Sequence, residues 1–248
     1  VYMLVESRGQ GRPDILIGVN DAQLSYYFPN GSYSSETNTF LIRGGGKTIL
    51  IDTGFGGALF DALRQLKIKP EDVDAVLLTH LHGDHTGGLA KGGAALFPNA
   101  RVYLSRPELD SAQANTRQLL AAYGNRVETF EPSPLRSGST ASLPEILPGI
   151  QAIAAFGHTP GHTAYLIESN GERLIVWGDL MHVQGIQFPL PDIAVTYDSD
   201  AKAAVAIRRT ILEFAARYRI PIGGMHLEFP AIGVVEKAGE GFRFIAAR

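Results

Sequence analysis

The chain has 248 residues, 45% of them hydrophobic and 19% charged, and a formal net charge of −3. That length suits one folded domain, 1–248, with a large core. The near-neutral balance without a basic cluster argues against a nucleic-acid partner, no apolar run approaches the roughly 20 residues of a membrane span, and the absence of cysteine excludes disulfides, thiolate catalysis and Cys-ligated metal.

Read from the start, the first residues lack a charged start followed by an apolar stretch, so no signal peptide is expected in this chain. Cytoplasm and periplasm both suit a cysteine-free protein, and the compartment stays open. Thr39–Arg43 and Thr48–Ile51 read as strands joined by the turn Gly44-Gly45-Gly46. Ala58 to Leu66 reads as a helix, because Leu59, Leu63 and Leu66 recur at helical spacing. Val73 to Thr79 is a buried strand, followed by a strand from Ala100 to Leu104. Ser105, with Glu108 three residues on, has the pattern of a capping box opening a helix to Tyr123. The stretch from Pro132 to Pro148, rich in Pro and Ser, reads as a surface loop. Strands follow over Ile150–Phe156, Ala164–Ser169 and Leu174–Trp177, and Asp200 caps a long helix to about Tyr218. Ala231–Glu236 and Phe242–Ala246 close the chain as strands. Such alternation predicts an α/β arrangement with helices covering sheet, in one sheet or two.

The chemistry concentrates where the strand Val73–Thr79 ends, in His80-Leu81-His82-Gly83-Asp84-His85. A lone histidine is ordinarily a packed core or surface residue. Three of a chain's seven within six residues, beside an aspartate and framed by a strand and glycine, point instead to a metal. His80 and His82 are alternate residues, so in extended backbone both side chains point one way. Gly83 is expected to adopt unusual dihedrals that redirect Asp84 and His85 towards a second position. Imidazole and carboxylate suit zinc first, and Mn, Co or Fe equally by ligand type. More ligands are needed downstream, and His162 in Gly157-His158-Thr159-Pro160-Gly161-His162, Asp179 in Trp177-Gly178-Asp179 and His226 in Gly224-Met225-His226 each stand at a strand exit beside glycine.

This set, His-x-His-x-Asp-His followed by His, Asp and His, resembles the metallo-β-lactamase superfamily from about Asn38 onward. The resemblance implies an αββα sandwich of two mixed β-sheets flanked by helices, and two divalent metal ions. One ion would take His80, His82 and His162 and the other Asp84, His85 and His226, with Asp179 bridging. The lack of cysteine departs from antibiotic-hydrolysing members with a Cys ligand, and His82 departs from the di-iron branch, which has glutamate there. His158-Thr-Pro-Gly-His162, Trp177-Gly-Asp179-Leu-Met-His182 with Gln187-Phe188-Pro189, Asp198-Ser199-Asp200 and Gly224-Met-His226-Leu-Glu-Phe229-Pro230 resemble the methyl parathion hydrolase branch. Gly83 stands where that branch often has proline, and the region before Asn38 is dissimilar.

A hydrolase is implied, in which paired cations lower the pKa of a shared water and hydroxide attacks a C=O or P=O. Asp179, Asp84 and His182 are the catalytic candidates. Asp179 would also accept the attacking water's proton, and His182 would either donate to substrate or line the pocket. His158 and Asp52 would brace ligand loops by hydrogen bonds. Tyr26, Tyr27, Phe28, Phe188 and Phe229 are candidates for a substrate wall, Phe188, Phe229 and Tyr27 foremost. The expected substrate is a small hydrophobic ester: a lactone, an aryl ester or an organophosphate triester. A thioester hydrolase resembling hydroxyacylglutathione hydrolase and a non-catalytic metal-binding module are the alternatives. The relatives' tendency to dimerise implies a homodimer, with neither nucleic acid nor membrane as partner.

Overall fold

A computed structural model describes residues 1–135 and 143–247. The chain forms two compact units, one of residues 1–7 and 37–131, the other of residues 8–36 and 132–248. Each is built around its own mixed β-sheet. Among the described residues, no helix is long and apolar enough to cross a membrane.

The sheet that carries most of the first unit has the order β1 (Tyr2–Gly11), β2 (Tyr33–Gly44), β3 (Lys47–Ile51), β4 (Ala75–Leu77), β5 (Arg101–Ser105) and β6 (Val127–Phe130). β2 and β3 form the expected hairpin over Gly45-Gly46, and β3, β4, β5 and β6 then run parallel. Parallel strands covered on both faces read as unbroken apolar runs, and Ile49-Leu50-Ile51 and Ala75-Val76-Leu77 are buried throughout. Helix α1 (Ala58–Gln65) offers Leu59 and Leu63, one turn apart, to the cluster holding Leu41, Leu50, Val76 and Val102. Because β3 and β4 are parallel with Ile51 opposite Leu77, both strands release their chains at the same edge. Asp52 and Thr79–His80 emerge there side by side.

Two expectations change in this unit. The single helix from Ser105 to Tyr123 is two, α3 (Arg106–Ser111) and α4 (Ala114–Ala121), with α2 being the short turn Gly83–Thr86. Ala112 is extended, and the Arg117 guanidinium takes the carbonyls of Leu109, Asp110 and Ala112, which supplies the acceptors' partners that continued helix would have given. The capping box is realised by half: Ser105 Oγ accepts from Glu108 N at 3.2 Å, but the Glu108 carboxylate turns to Leu81 N at 2.9 Å, inside the histidine motif.

The second unit carries β7 (Glu145–Leu147), β8 (Ile150–Ala154), β9 (Thr163–Ser169), β10 (Glu172–Val176), β11 (Ile222–Gly223), β12 (Ile232–Ala238) and β13 (Gly241–Ala246), in that order across its sheet. All pairs are antiparallel except β10 with β11. The stretch expected as a loop from Pro132 to Pro148 thus contributes an edge strand, β7, while residues 136–142 lie outside the described ones. The parallel pair sets Val176 opposite Gly223, so Asp179 and His226, each three residues further, leave the sheet together. β8 and β9 pair Ala154 with Thr163, and the turn between them brings His158 and His162 to the same end.

The long helix α5 (Ala201–Tyr218) is capped as expected, Asp200 accepting from Ala203 N at 2.9 Å. Its first turn lies on Gly157, whose φ of +135° and lack of Cβ are both required. A Cβ there would stand 2.2 Å from Ala204 N and 2.6 Å from its Cα. Gly157→Ala is expected to destabilise the protein by about 3 kcal/mol through strain and overpacking. Urea denaturation reads this directly, and an unshifted midpoint at equal slope would contradict the close packing.

Candidate metal centre

In the first unit, His80 lies at the exit of β4 with its ring 4.6 Å from that of His82 and 4.0 Å from that of His85. Ring nitrogens of His80 and His82 approach within 4.8 Å of each other, as do ligand atoms of Asp84 and His85. Redirection after His82 does not come from unusual dihedrals at Gly83. That residue opens the helical turn α2, with an ordinary φ and nothing within 4 Å of where a Cβ would be. The carbonyl of His82 accepts from His85 N and Thr86 N, both at 3.1 Å, and helical rotation aims Asp84 and His85. Proline in that place in related chains suits the same position, the first residue of a helix. The turn is pressed backbone to backbone onto the loop after β3: a Cβ on Gly88 would meet Thr53 O at 2.5 Å.

Asp52, at a φ of +60° and fully buried, organises this half. Its Oδ1 accepts from Thr79 N at 2.8 Å, and its Oδ2 accepts from Thr79 Oγ1 and His85 Nδ1, each at 2.7 Å. Burial pushes its carboxyl group up from the ordinary range, opposed by His85 and Thr79. Asp52 therefore braces, as expected. Since Thr79 gives its proton to Asp52, its oxygen is the acceptor for His80 Nδ1 at 3.1 Å.

In the second unit the centre of charge is Asp179. Its Oδ2 lies 3.1 Å from His182 Nε2, 3.2 Å from His226 Nε2 and 3.3 Å from His158 Nε2. Its backbone N–H donates to His162 Nε2 at 2.9 Å. The outer nitrogens are fixed too: His162 Nδ1 by Ala155 O at 2.9 Å, His226 Nδ1 by Glu36 O at 2.8 Å, and His158 Nδ1 by Asp198 Oδ1 at 2.9 Å. Carbonyl and carboxylate oxygens only accept, so these Nδ1 atoms carry the proton. In neutral His85 and His226, Nε2 then presents a lone pair, the form a metal requires, while that of His162 accepts from Asp179 N.

The chemistry of the facing atoms tests the fit of a cation. His226 Nε2 and Asp179 Oδ2, both lone-pair donors, face each other at 3.2 Å; His85 Nε2 and Asp84 Oδ2 do so at 3.6 Å. Such pairs call for a positive charge between them. Two atoms bound to one tetrahedral ion at about 2.1 Å stand about 3.4 Å apart. Each pair has the donor types and the spacing that a metal takes.

His158 and His182 differ from the rest. Burial pulls the His158 imidazole down, but hydrogen bonds to Asp179 and Asp198 outweigh it and raise its pKa to about 9. Between two carboxylates, His158 can donate through both nitrogens. His182 is lowered to about 4, chiefly by burial and against the pull of Asp179, so it is neutral near pH 7. Its ring stacks on that of His226 at 4.9 Å.

The aromatic candidates are placed variously. Phe188 is buried, stacked on Phe244 at 5.3 Å. Phe28 is buried as well, and Tyr27 packs on the cluster of Leu16, Phe28, Val183 and Ile186. Phe229 is 64% exposed under the Arg8 guanidinium, 5.3 Å from its centroid, and Tyr26 is 78% exposed. Sequence reading passed over Tyr197, a half-exposed ring 5.9 Å from that of His182, and Arg208, a fully buried cation on α5. A conserved-looking spacing marks neither. A buried arginine amid apolar helix positions was the available signal for the second.

The sequence profile described as the Metallo-beta-lactamase superfamily matches residues 34–224. An atrochrysone carboxyl ACP thioesterase of Passalora fulva is 30% identical over 166 residues, 66% of this chain and 43% of that protein. An N-acyl homoserine lactonase of Bacillus cereus is 32% identical over 114 residues, 46% of this chain and 40% of that protein. The chain thus spans about two fifths of the length of these curated relatives. The solved structure of a hydrolase, AbOPH, in the beta lactamase superfamily superposes with a TM-score of 0.87 at 30% identity, covering 99% of this chain and 93% of that one. AidC, a dizinc quorum-quenching lactonase in complex with a product, superposes with a TM-score of 0.88 at 24% identity and over the same shares, a likeness of fold.

Proposed function

The chain belongs to the metallo-beta-lactamase superfamily, and from that premise we propose that it is a metal-dependent hydrolase that cleaves small neutral esters, lactones foremost, with aryl esters and organophosphate triesters as further substrates. The ligand set in this reading is His80, His82, Asp84, His85, His162, Asp179 and His226, whose order along the chain is that of the family. Two divalent ions, zinc by preference, would be held there. When bound, such ions supply a hydroxide near neutral pH and polarise the oxygen of the group under attack. The observation that carries the reading is the pair of facing acceptors in each unit, His226 Nε2 with Asp179 Oδ2 and His85 Nε2 with Asp84 Oδ2.

The chain's own residues have separate tasks. Asp179 accepts the proton released in the attack, within reach of the His158 and His182 N–H groups that stabilise its charge. His182, neutral and donating through Nε2 to Asp179, orients that carboxylate. Phe229, three residues past His226 and largely exposed, offers an apolar face to the acyl or aryl part of a substrate. The lactonase relative supports ester cleavage.

A thioester substrate is the second reading, favoured by the 30% identity to a carboxyl ACP thioesterase over 166 residues. A panel of acyl-homoserine lactones, p-nitrophenyl esters, paraoxon-like triesters and acyl thioesters, each with and without chelator, separates the two. Chelator-sensitive turnover highest on the oxygen esters is expected. Turnover confined to thioesters would replace the first reading with the second, and none on any substrate would leave a metal-binding module.

A further inference from the structure

The segment Asp198-Ser199-Asp200, which leads into α5, lies strapped along the ligand turn. Asp200 N donates to Gly157 O at 2.8 Å, Ser199 N to His158 O at 3.0 Å, and Ser199 Oγ to Gly157 O at 3.0 Å. These bonds involve backbone or the serine hydroxyl, so the Asp198 carboxylate is not needed to hold the strap. It is nevertheless fully buried, and burying a carboxylate is costly unless it is paired. Its Oδ1 meets His158 Nδ1 at 2.9 Å, and its Oδ2 accepts from Val195 N at 3.1 Å, with Arg208 Nη2 at 3.9 Å.

Arg208 extends the same frame. Its Nε donates to Leu180 O at 2.7 Å, and its Nη1 to Ile193 O at 2.7 Å and Pro191 O at 2.9 Å. One helix therefore supports two turns. Arg208 grips the backbone just after Asp179, and the residues preceding the helix grip His158. The His158 ring joins them, with Nδ1 towards Asp198 and Nε2 3.3 Å from Asp179 Oδ2.

We infer that Asp198 is a positioning residue, which acts through His158 to hold the Asp179 carboxylate in its metal-binding orientation. This rests on the metallohydrolase reading of Asp179. Outer partners of this kind usually contribute 10–100-fold to metal affinity.

The test is zinc affinity of the full chain, measured against a chromophoric competing chelator, together with the visible spectrum of the Co(II)-loaded protein. Asp198→Ala is expected to weaken zinc about 100-fold and Asp198→Asn about 10-fold. Both should shift the Co(II) bands of the folded protein. Added to His158→Ala, the Asp198→Ala change should cost nothing further, since both act on one path. Wild-type affinity and spectrum in folded Asp198→Ala would overturn the inference. If that variant does not fold, wild-type affinity in Asp198→Asn would overturn it instead. A wild-type chain that binds no zinc would overturn the metallohydrolase reading first, and this inference with it.

Discussion

Replacing Asp179 by alanine is expected to lower kcat/KM by about 10³-fold or more, which corresponds to ~4 kcal/mol of transition-state stabilisation. Three imidazole nitrogens, from His158, His182 and His226, lie within 3.3 Å of its Oδ2 in a site that excludes solvent. Without the carboxylate, a protonated His158 remains buried beside the other rings and keeps its contact with Asp198. Removing one member of a buried charge pair is far costlier than its net contribution suggests. The same change removes a metal donor and the acceptor of the attacking water's proton. Bound metal, measured by elemental analysis, should fall below two ions per chain. Asp179→Asn keeps the volume and the hydrogen bond from the Asp179 backbone to His162, so it separates charge from packing. Near-wild-type turnover with full metal in the alanine variant would remove Asp179 from the mechanism.

Exhaustive chelation is expected to abolish turnover and to lower the melting temperature, and added zinc should restore both. A ligand present at about 1,000 times its Kd stabilises the folded state by ~4 kcal/mol. For a chain of this size that corresponds to a shift of about 8–16 °C. The donor rings are held by hydrogen bonds such as His226 Nδ1 to Glu36 O at 2.8 Å and His162 Nδ1 to Ala155 O at 2.9 Å, and a bound ion adds a further tie between loops. Metal binding requires neutral imidazole, so the stabilisation by zinc should shrink as pH falls through the imidazole range. A melting temperature and turnover indifferent to chelator would exclude a metal from both structure and catalysis.

Most strands and helices follow from local pattern, because burial at period 2 or 3.6 is written in nearest neighbours, whereas the division into two sheets came only with the family resemblance. Ile49-Leu50-Ile51 and the Leu59/Leu63 pair are cases in point. The helix expected from Ser105 to Tyr123 failed on a side chain that competes for its carbonyls. Nothing near Ala112 breaks a helix in sequence, and the break is stabilised by Arg117 reaching back to three carbonyls. Gly83 misled for a related reason: glycine permits unusual dihedrals without requiring them, and here it opens a helical turn.

By itself the sequence determined the chemistry on offer, since imidazole and carboxylate at strand exits are donors wherever the chain carries them. Tertiary structure decided which nitrogen of each ring faces inward. Ala155 O and Glu36 O fix His162 and His226 through backbone carbonyls, which every residue type possesses and no motif can announce. It also set Asp198 against His158 across 40 positions of chain. A histidine's role is set by the acceptor at its far nitrogen, and that acceptor is chosen by packing.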